Sequence, residues 1–381
     1  MKLKFLTPVC FSLLILVFSV STLSANTQKV RREGKVRLLA HSREEAQRAE
    51  QSGCRQVRKV KEIKAFVCPL SVARSLGLPE DIRVMATDTR ANSQIRANLV
   101  QNSGNSGQGR KVAILDTGYN YTHPELSSSY LGGRDFVNGD EDPTDDNGHG
   151  SHVAGIITAD GVNSSAKGAA PSVGILVGKV LDKYGSGYFT DIIAGIYWVV
   201  DGPDGVSGNA DDPGVDAVNL SLGTGAPYLY KSFCDSVYPE MTTAIKHARD
   251  RGVLVVVAAG NSGSSGVSLP GCISYSTTVG AVNSRDRIAS FSGRGKGVDI
   301  TAPGVGIFSS WLGSGYLTAS GTSMATPIVT ATVGLVRSVH SGYNPDQVEN
   351  ALFKTAKDLG TSGKDNKFGW GRVDAQSAVN Y

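Results

Sequence analysis

Beyond about residue 105 the chain alternates apolar runs of strand length with longer runs of helical period. Strand-like runs cover 111–115, 174–180, 215–220, 253–258 and 277–281, and helical runs cover 149–158, 189–200, 239–251, 323–340 and 345–356. No other feature limits the fold as much. Parallel strands need long crossovers, usually helices, and those helices then cover both faces of the sheet. The expected architecture is a three-layer α/β/α domain with a mostly parallel sheet. In such sheets chemistry gathers where strands end and helices begin. Asp116, Asn261 and Ser323 all fall at such places.

The first part of the chain reads differently. Residues 1–25 carry Lys2 and Lys4, then an apolar run from Phe11 to Val20, then small residues ending at Ala25. That is the pattern of a secretory signal, and the apolar stretch is too short for a membrane anchor. Cys10 precedes the apolar run, which argues against a lipid-attachment site. Next come strand-like residues 35–41, a helix over 42–51 opening at Ser42, and strands 54–60 and 62–68 around a turn near Lys61. A short helix from Ser71 and a strand near 81–85 complete a β-α-β-β-α-β order, which suggests a ferredoxin-like α+β module.

Charge separates the two parts. Between residues 26 and 84 there are 14 Lys and Arg against 7 Asp and Glu, and the signal adds 2 lysines; with a total of +4, residues 85–381 are left at −5. A basic segment ahead of an acidic domain favours docking of one on the other. The basic residues are interleaved with strand and helix patterns rather than clustered, so a nucleic-acid-binding arm is not expected. Four of the five cysteines follow the signal: Cys54 and Cys68 in the first part, Cys234 and Cys272 in the second. In an exported protein this split suggests one disulfide in each part, Cys54–Cys68 and Cys234–Cys272, with free buried thiols as the alternative. Cys54 and Cys68 are equidistant from the turn near Lys61, so a cross-strand bridge is feasible.

Three short blocks carry the chemistry. Ile114-Leu115-Asp116-Thr117-Gly118 ends an apolar strand in an acid. Asn147-Gly148-His149-Gly150-Ser151-His152 opens a helix with an imidazole. Gly321-Thr322-Ser323-Met324-Ala325, followed by Thr326-Pro327, opens another with a hydroxyl. Acid, imidazole and hydroxyl together are what acyl transfer by a serine nucleophile needs. Taken singly, Ser323, Asp116 and Asn261 each have an ordinary explanation: a helix cap, a turn aspartate and the end of a strand. In this order, the three blocks resemble the subtilisin-like serine proteases, the subtilases.

The resemblance extends over about residues 92–375 and implies a role for each group. Ser323 would be the nucleophile, His149 the general base and Asp116 the carboxylate that orients it. Asn261, ending Val-Val-Val-Ala-Ala-Gly-Asn, would donate to the oxyanion. His152 is the competing imidazole, but the family motif aligns with His149, which leaves His152 a structural role. The two histidines stand three apart with no intervening glutamate, so the zinc-protease signature is absent. Ser221-Leu222-Gly223 and Ala258-Ala259-Gly260 resemble the segments that pair with an extended peptide and line its primary side-chain pocket. Their small, apolar character suggests a broad preference for uncharged side chains.

Subtilases usually bind calcium, as a structural cofactor. Glu125 aligns with a family ligand where aspartate is more usual, but the partner loop 160–167 departs from the family pattern. Two acidic loops are further candidates, because hard oxygen ligands crowd in them. One holds Asp140, Asp142, Asp145 and Asp146. The other is the insertion 201–212, with Asp204 and Asp212. A solvated acidic loop is the alternative for each.

The reading that follows is a secreted serine endopeptidase, extracellular or periplasmic, acting as a monomer on proteins or peptides. Residues 1–25 would be the signal peptide. Residues 26–87 would be an inhibitory propeptide that assists folding and is removed by self-cleavage near 84–90, and residues 88–381 the catalytic domain. No nucleic acid or membrane partner is expected. An α/β-hydrolase esterase would need Gly-x-Ser-x-Gly and the order Ser…Asp/Glu…His, and neither is present. A catalytically silent binding protein would be expected to lack one of the four key residues.

Overall fold

The computed structural model describes residues 35–60, 63–79 and 90–381. The chain divides into two compact units, residues 1–86 and 87–381. The expected signal, the turn near Lys61, the strand near 81–85 and most of the expected cleavage region lie outside the described residues.

The first unit contains strands β1 (Lys35–Ala40), β2 (Arg55–Val60) and β3 (Ile63–Pro69), with helices α1 (Arg43–Gln51) and α2 (Leu70–Leu76). The strands run antiparallel in the order β1-β3-β2, the order a ferredoxin-like module has for its first three strands. Ser42 caps α1 through a reciprocal bond pattern with Glu45, which satisfies N–H groups the helix cannot satisfy itself. Leu38, Ala46, Ala49 and Phe66 form a small core, and the Cys54–Cys68 disulfide bridges directly opposed residues with Cα atoms 4.4 Å apart.

In the second unit, α3 (Arg90–Gln94) and α4 (Ala97–Asn102) lead into a seven-stranded sheet. Its strands are β4 (Lys111–Asp116), β5 (Tyr130–Asp135), β6 (Gly174–Lys179), β7 (Ala217–Leu220), β8 (Leu254–Ala258), β9 (Thr277–Val282) and β10 (Ile300–Pro303). All neighbouring pairs are parallel, in the order β10-β9-β8-β7-β4-β6-β5. A hairpin of β11 (Ile307–Ser310) and β12 (Tyr316–Ala319) follows. The helices are α5 (His149–Thr158), α6 (Phe189–Asp201), α7 (Pro239–Asp250), α8 (Thr322–Val339), α9 (Pro345–Lys354) and α10 (Ala375–Val379).

Strand β4 shows why the expected three layers form. Val112 and Ile114 join a core with Val153 and Ile157 of α5 and Ile328 of α8. Ala113 and Leu115 point the other way, to Ile192 and Ile196 of α6 and Met241 of α7. Side chains alternate across a strand, so a run apolar at every position needs cover on both faces. By the same alternation Asp116 falls on the α5 and α8 face.

The chain places β5 and β6 on one side of β4 and then crosses to β7 on the other. Such a reversal leaves a crevice at the carboxyl ends of the strands. Among the described residues no helix is long and apolar enough to cross a membrane.

Candidate active site

The carboxyl end of β4 and the amino end of α5 meet first. Asp116 is fully buried and His149 is 28% exposed, and Nδ1 of the imidazole donates to Asp116 Oδ1 at 2.7 Å. The carboxylate only accepts, so Nδ1 carries the proton and Nε2 is the nitrogen left for a substrate or hydroxyl. The N–H of Thr117 also reaches Asp116 Oδ1, at 2.7 Å, which pins the carboxylate from behind. Burial alone would lower the His149 pKa. The charge of Asp116, its hydrogen bond and the charge of Asp145 outweigh burial and raise it above the ordinary value.

Asp145 belongs to the acidic loop that offers metal ligands by composition, but the structure gives it another part. Its Oδ1 accepts from the Thr117 hydroxyl (2.9 Å) and from the N–H groups of Asn147 (3.0 Å) and Gly148 (2.8 Å). Its Oδ2 accepts from the N–H and hydroxyl of Ser151, at 2.8 and 2.6 Å. Burial would raise its pKa, and the bonds from Ser151, Gly148 and Asn147 bring it below the usual carboxylate value. One carboxylate thus holds both sides of His149. Gly148 sits at φ +104° against the Trp311 ring, where a Cβ would come within 2.5 Å of the ring, so only glycine fits there.

Lys179, at the end of β6, is 1% exposed. Its ammonium donates to Asp146 Oδ1 at 2.6 Å and to the carbonyls of Thr117 (2.7 Å) and Leu181 (3.1 Å). A buried ammonium is tolerated only with partners of this kind. His152 lies behind His149, fully buried, its Nε2–H donating to the Leu317 carbonyl at 3.0 Å. Burial pushes its pKa down to about 4, so it stays neutral at ordinary pH.

Ser323 is the second residue of α8, which packs against α5. The first N–H groups of a helix have no intrahelical acceptor and carry its positive dipole end. The Thr322 N–H goes to Asn261 Oδ1 at 3.0 Å, and the Thr322 hydroxyl reaches the same oxygen at 3.1 Å. With its oxygen committed, the Asn261 amide must turn its NH2 group the other way. That nitrogen lies near Gly321, where an added Cβ would sit 3.5 Å from it.

The two segments singled out for substrate contact meet around Ser268. A Cβ on Gly223 would come within 2.9 Å of the Ser268 Cβ, and one on Gly260, at φ +84°, within 1.9 Å of the Ser268 hydroxyl. Ala258 and Ala259 are buried, and Leu222 is half-buried. The Ser221 hydroxyl donates to the Ser323 carbonyl at 2.9 Å and receives the Asn219 amide at 2.9 Å, tying β7 to α8. The Cys234–Cys272 disulfide, with Cα atoms 5.4 Å apart, anchors the neighbouring chain.

The metal candidates fare differently. Among the described residues no three His, Cys, Asp or Glu gather where they could hold an ion. Glu125 is fully buried and both its oxygens already accept hydrogen bonds. Asp140 Oδ1 accepts from the Asp142 N–H at 2.9 Å, and Asp142 Oδ1 accepts from the Thr144 hydroxyl at 2.6 Å and the Tyr121 hydroxyl at 3.1 Å. In the insertion, Asp204 accepts from the Val206 N–H and the Asn209 amide. Asp212 Oδ2 accepts from the Gly208 N–H, while its Oδ1 is buried without a partner.

Fold and motifs together define a serine endopeptidase built on a parallel α/β/α scaffold. Residues 107–371 match the Subtilase family. The chain is 40% identical over 279 residues to the Thermophilic serine proteinase of Bacillus sp. (strain AK1), a match spanning 73% of this chain and 63% of that protein. It is 39% identical over 287 residues to Subtilisin Savinase of Lederbergia lenta, spanning 75% of this chain and 97% of that one. To Alkaline elastase YaB of Bacillus sp. (strain YaB) it is 36% identical over 299 residues, spanning 78% and 72%. The chain belongs to the subtilase family and is a serine endopeptidase.

Proposed function

We propose that this endopeptidase is secreted, is matured by its own activity, and cleaves peptide bonds through an acyl-enzyme on Ser323. His149 Nε2 takes the hydroxyl proton as Ser323 attacks the scissile carbonyl, then returns it to the leaving amine. Asp116 keeps the proton on Nδ1 and stabilises the imidazolium. The Asn261 NH2 group and the Ser323 N–H receive the negative charge of the tetrahedral intermediate. A water activated by the same imidazole releases the acyl group. The observation that carries this reading is the 2.7 Å bond from His149 Nδ1 to Asp116 Oδ1, which fixes the tautomer that a base needs.

An extended substrate would lie between residues 221–223 and 258–260, adding a strand to their backbone. The small walls there, and the elastase name of one relative, favour uncharged side chains at the cleaved bond. Residues 1–25 act as the export signal, and 26–87 as a basic propeptide that inhibits the acidic domain 88–381 until it is cut away. The mature protein works as a monomer outside the cell or in the periplasm. A calcium ion in the 201–212 insertion would have Asp212 Oδ1, buried there without a partner, as its one open carboxylate oxygen, and would need further ligands, because among the described residues no three acidic groups gather there.

Intact mass and N-terminal sequence of the exported protein, beside Ser323→Ala, test the whole reading. Only the unsubstituted chain should shed the segment ending near 84–90. Shedding by both would assign maturation to another protease, and shedding by neither would favour a silent binding protein.

A further inference from the structure

The family resemblance would place a calcium ion at Glu125, and the bonding around this carboxylate does not fit one. Its Oε2 accepts from the N–H groups of Gly161 (2.7 Å) and Val162 (3.1 Å). Its Oε1 accepts from the N–H of Asn163 (2.6 Å) and the hydroxyl of Tyr316 (2.9 Å). Each oxygen therefore has two donors, the full complement of a carboxylate's strong acceptor directions. Calcium takes six to eight oxygens. Here the loop turns three successive N–H groups inward, the arrangement that receives an anion.

The surroundings agree. Gly161 sits at φ +84°, a left-handed turn that lets consecutive N–H groups converge, and the Lys167 side chain lies over it. The far end of the loop is tied without a metal as well. The Asn92 amide donates to the carbonyls of Lys167 and Gly168, and the Gln101 amide to those of Gly168 and Ala169.

We infer that in this chain the Glu125 carboxylate itself clasps the 160–163 loop, in place of a divalent cation, and couples it to the β11–β12 hairpin. The clasp joins three segments distant in sequence. Glu125 follows β4, the loop follows α5, and Tyr316 opens β12, whose chain runs on into Ser323. The Glu125 carbonyl also accepts from the Asp160 N–H at 3.1 Å, and the neighbouring His123 Nε2–H donates to the Gly315 carbonyl at 2.9 Å. Loop order and hairpin position therefore depend on Glu125 and not on calcium.

Hydrogen–deuterium exchange of the peptide covering 158–168 tests this, using the chain carrying Ser323→Ala so that it does not digest itself. Fragmentation of that sample would speak against the nucleophile, a separate failure. Exchange of this peptide should be the same in excess calcium and in EDTA. Glu125→Gln replaces an acceptor oxygen by a donor, and should speed exchange by about tenfold or more in both conditions. Tyr316→Phe, which removes one bond only, should speed it less and again without regard to calcium; it carries the test if Glu125→Gln does not fold. The inference is overturned if EDTA alone opens this peptide in the Ser323→Ala parent, or if that parent binds a calcium ion that Glu125→Gln abolishes.

Discussion

His149 and His247 each meet an aspartate, on opposite sides of the same sheet. His149 bonds one oxygen of Asp116 through Nδ1, which leaves its Nε2 as the nitrogen open to a substrate or hydroxyl. His247, in the last turn of α7, bonds both oxygens of Asp201 through Nε2, at 2.8 and 2.9 Å, and packs beside the Tyr197 ring. Asp201 is the last residue of α6, so this pair clips two helices together. The pairs are chemically alike. What separates them is position: one joins a strand's carboxyl end to the start of α5, which packs against the serine-bearing helix α8, while the other closes a helix–helix contact. An imidazole and a carboxylate in contact are thus no evidence of acid–base work until the free nitrogen has something to act on.

Substitutions should separate the two pairs widely. Ser323→Ala or His149→Ala should lower kcat on a peptide substrate by about 10⁶, a figure that comes from this same family. His247→Ala should leave kcat/KM within about twofold, while lowering unfolding free energy by about 1–3 kcal/mol through the buried Asp201 left without its partner. A tenfold loss of turnover in His247→Ala would break the comparison. Asp116→Asn should cost about 10⁴ in kcat, because the amide no longer holds the proton on Nδ1. Asn261→Ala should cost about 10²–10³ in kcat with little change in KM, again a figure from this family. A rise in KM alone would make Asn261 a binding group only.

How much of this was legible in sequence depended on how local the cause was. Strands buried on both faces and helices opening on His149 and Ser323 declare themselves, and the structure moves their expected ends by at most two residues. Strand β5 gave no such signal, since Tyr-Leu-Gly-Gly-Arg-Asp has two glycines and lies half-exposed at an edge. Strand β10 is four residues ending in proline, which only an edge position tolerates. Lys179 closes an apolar run, and its burial is explained only by what surrounds its ammonium in the fold: Asp146 and the carbonyls of Thr117 and Leu181. The acidic residues 140–146 read equally as metal ligands or as a solvated acidic loop. Their N–H partners are set by backbone direction, which composition does not encode. Glu125 was visible, but whether the facing loop offered oxygens or N–H groups was not.

Asp145 offers the finest test, because it acts on His149 from outside the pair. Its two oxygens hold Gly148 and Ser151 on either side of the imidazole, and its charge adds to that of Asp116 in raising the His149 pKa. With His149 as the proposed base, which must be unprotonated to act, log kcat/KM should rise with pH through a limb centred above the ordinary histidine value of about 6.5. The stability linkage runs in the opposite sense. A raised folded-state pKa favours the protonated fold, so that contribution is full below the unfolded value and is lost as pH climbs through the folded one. Asp145→Asn removes the charge and keeps most of the shape. It should move the acid limb to lower pH and lower kcat by about tenfold to a hundredfold through a loosened His149. If kcat falls while the limb stays in place, Asp145 only positions the loop. If neither changes, the network around Asp145 is packing alone, and the difference between the two histidine–aspartate pairs rests on Asp116, Ser323 and Asn261.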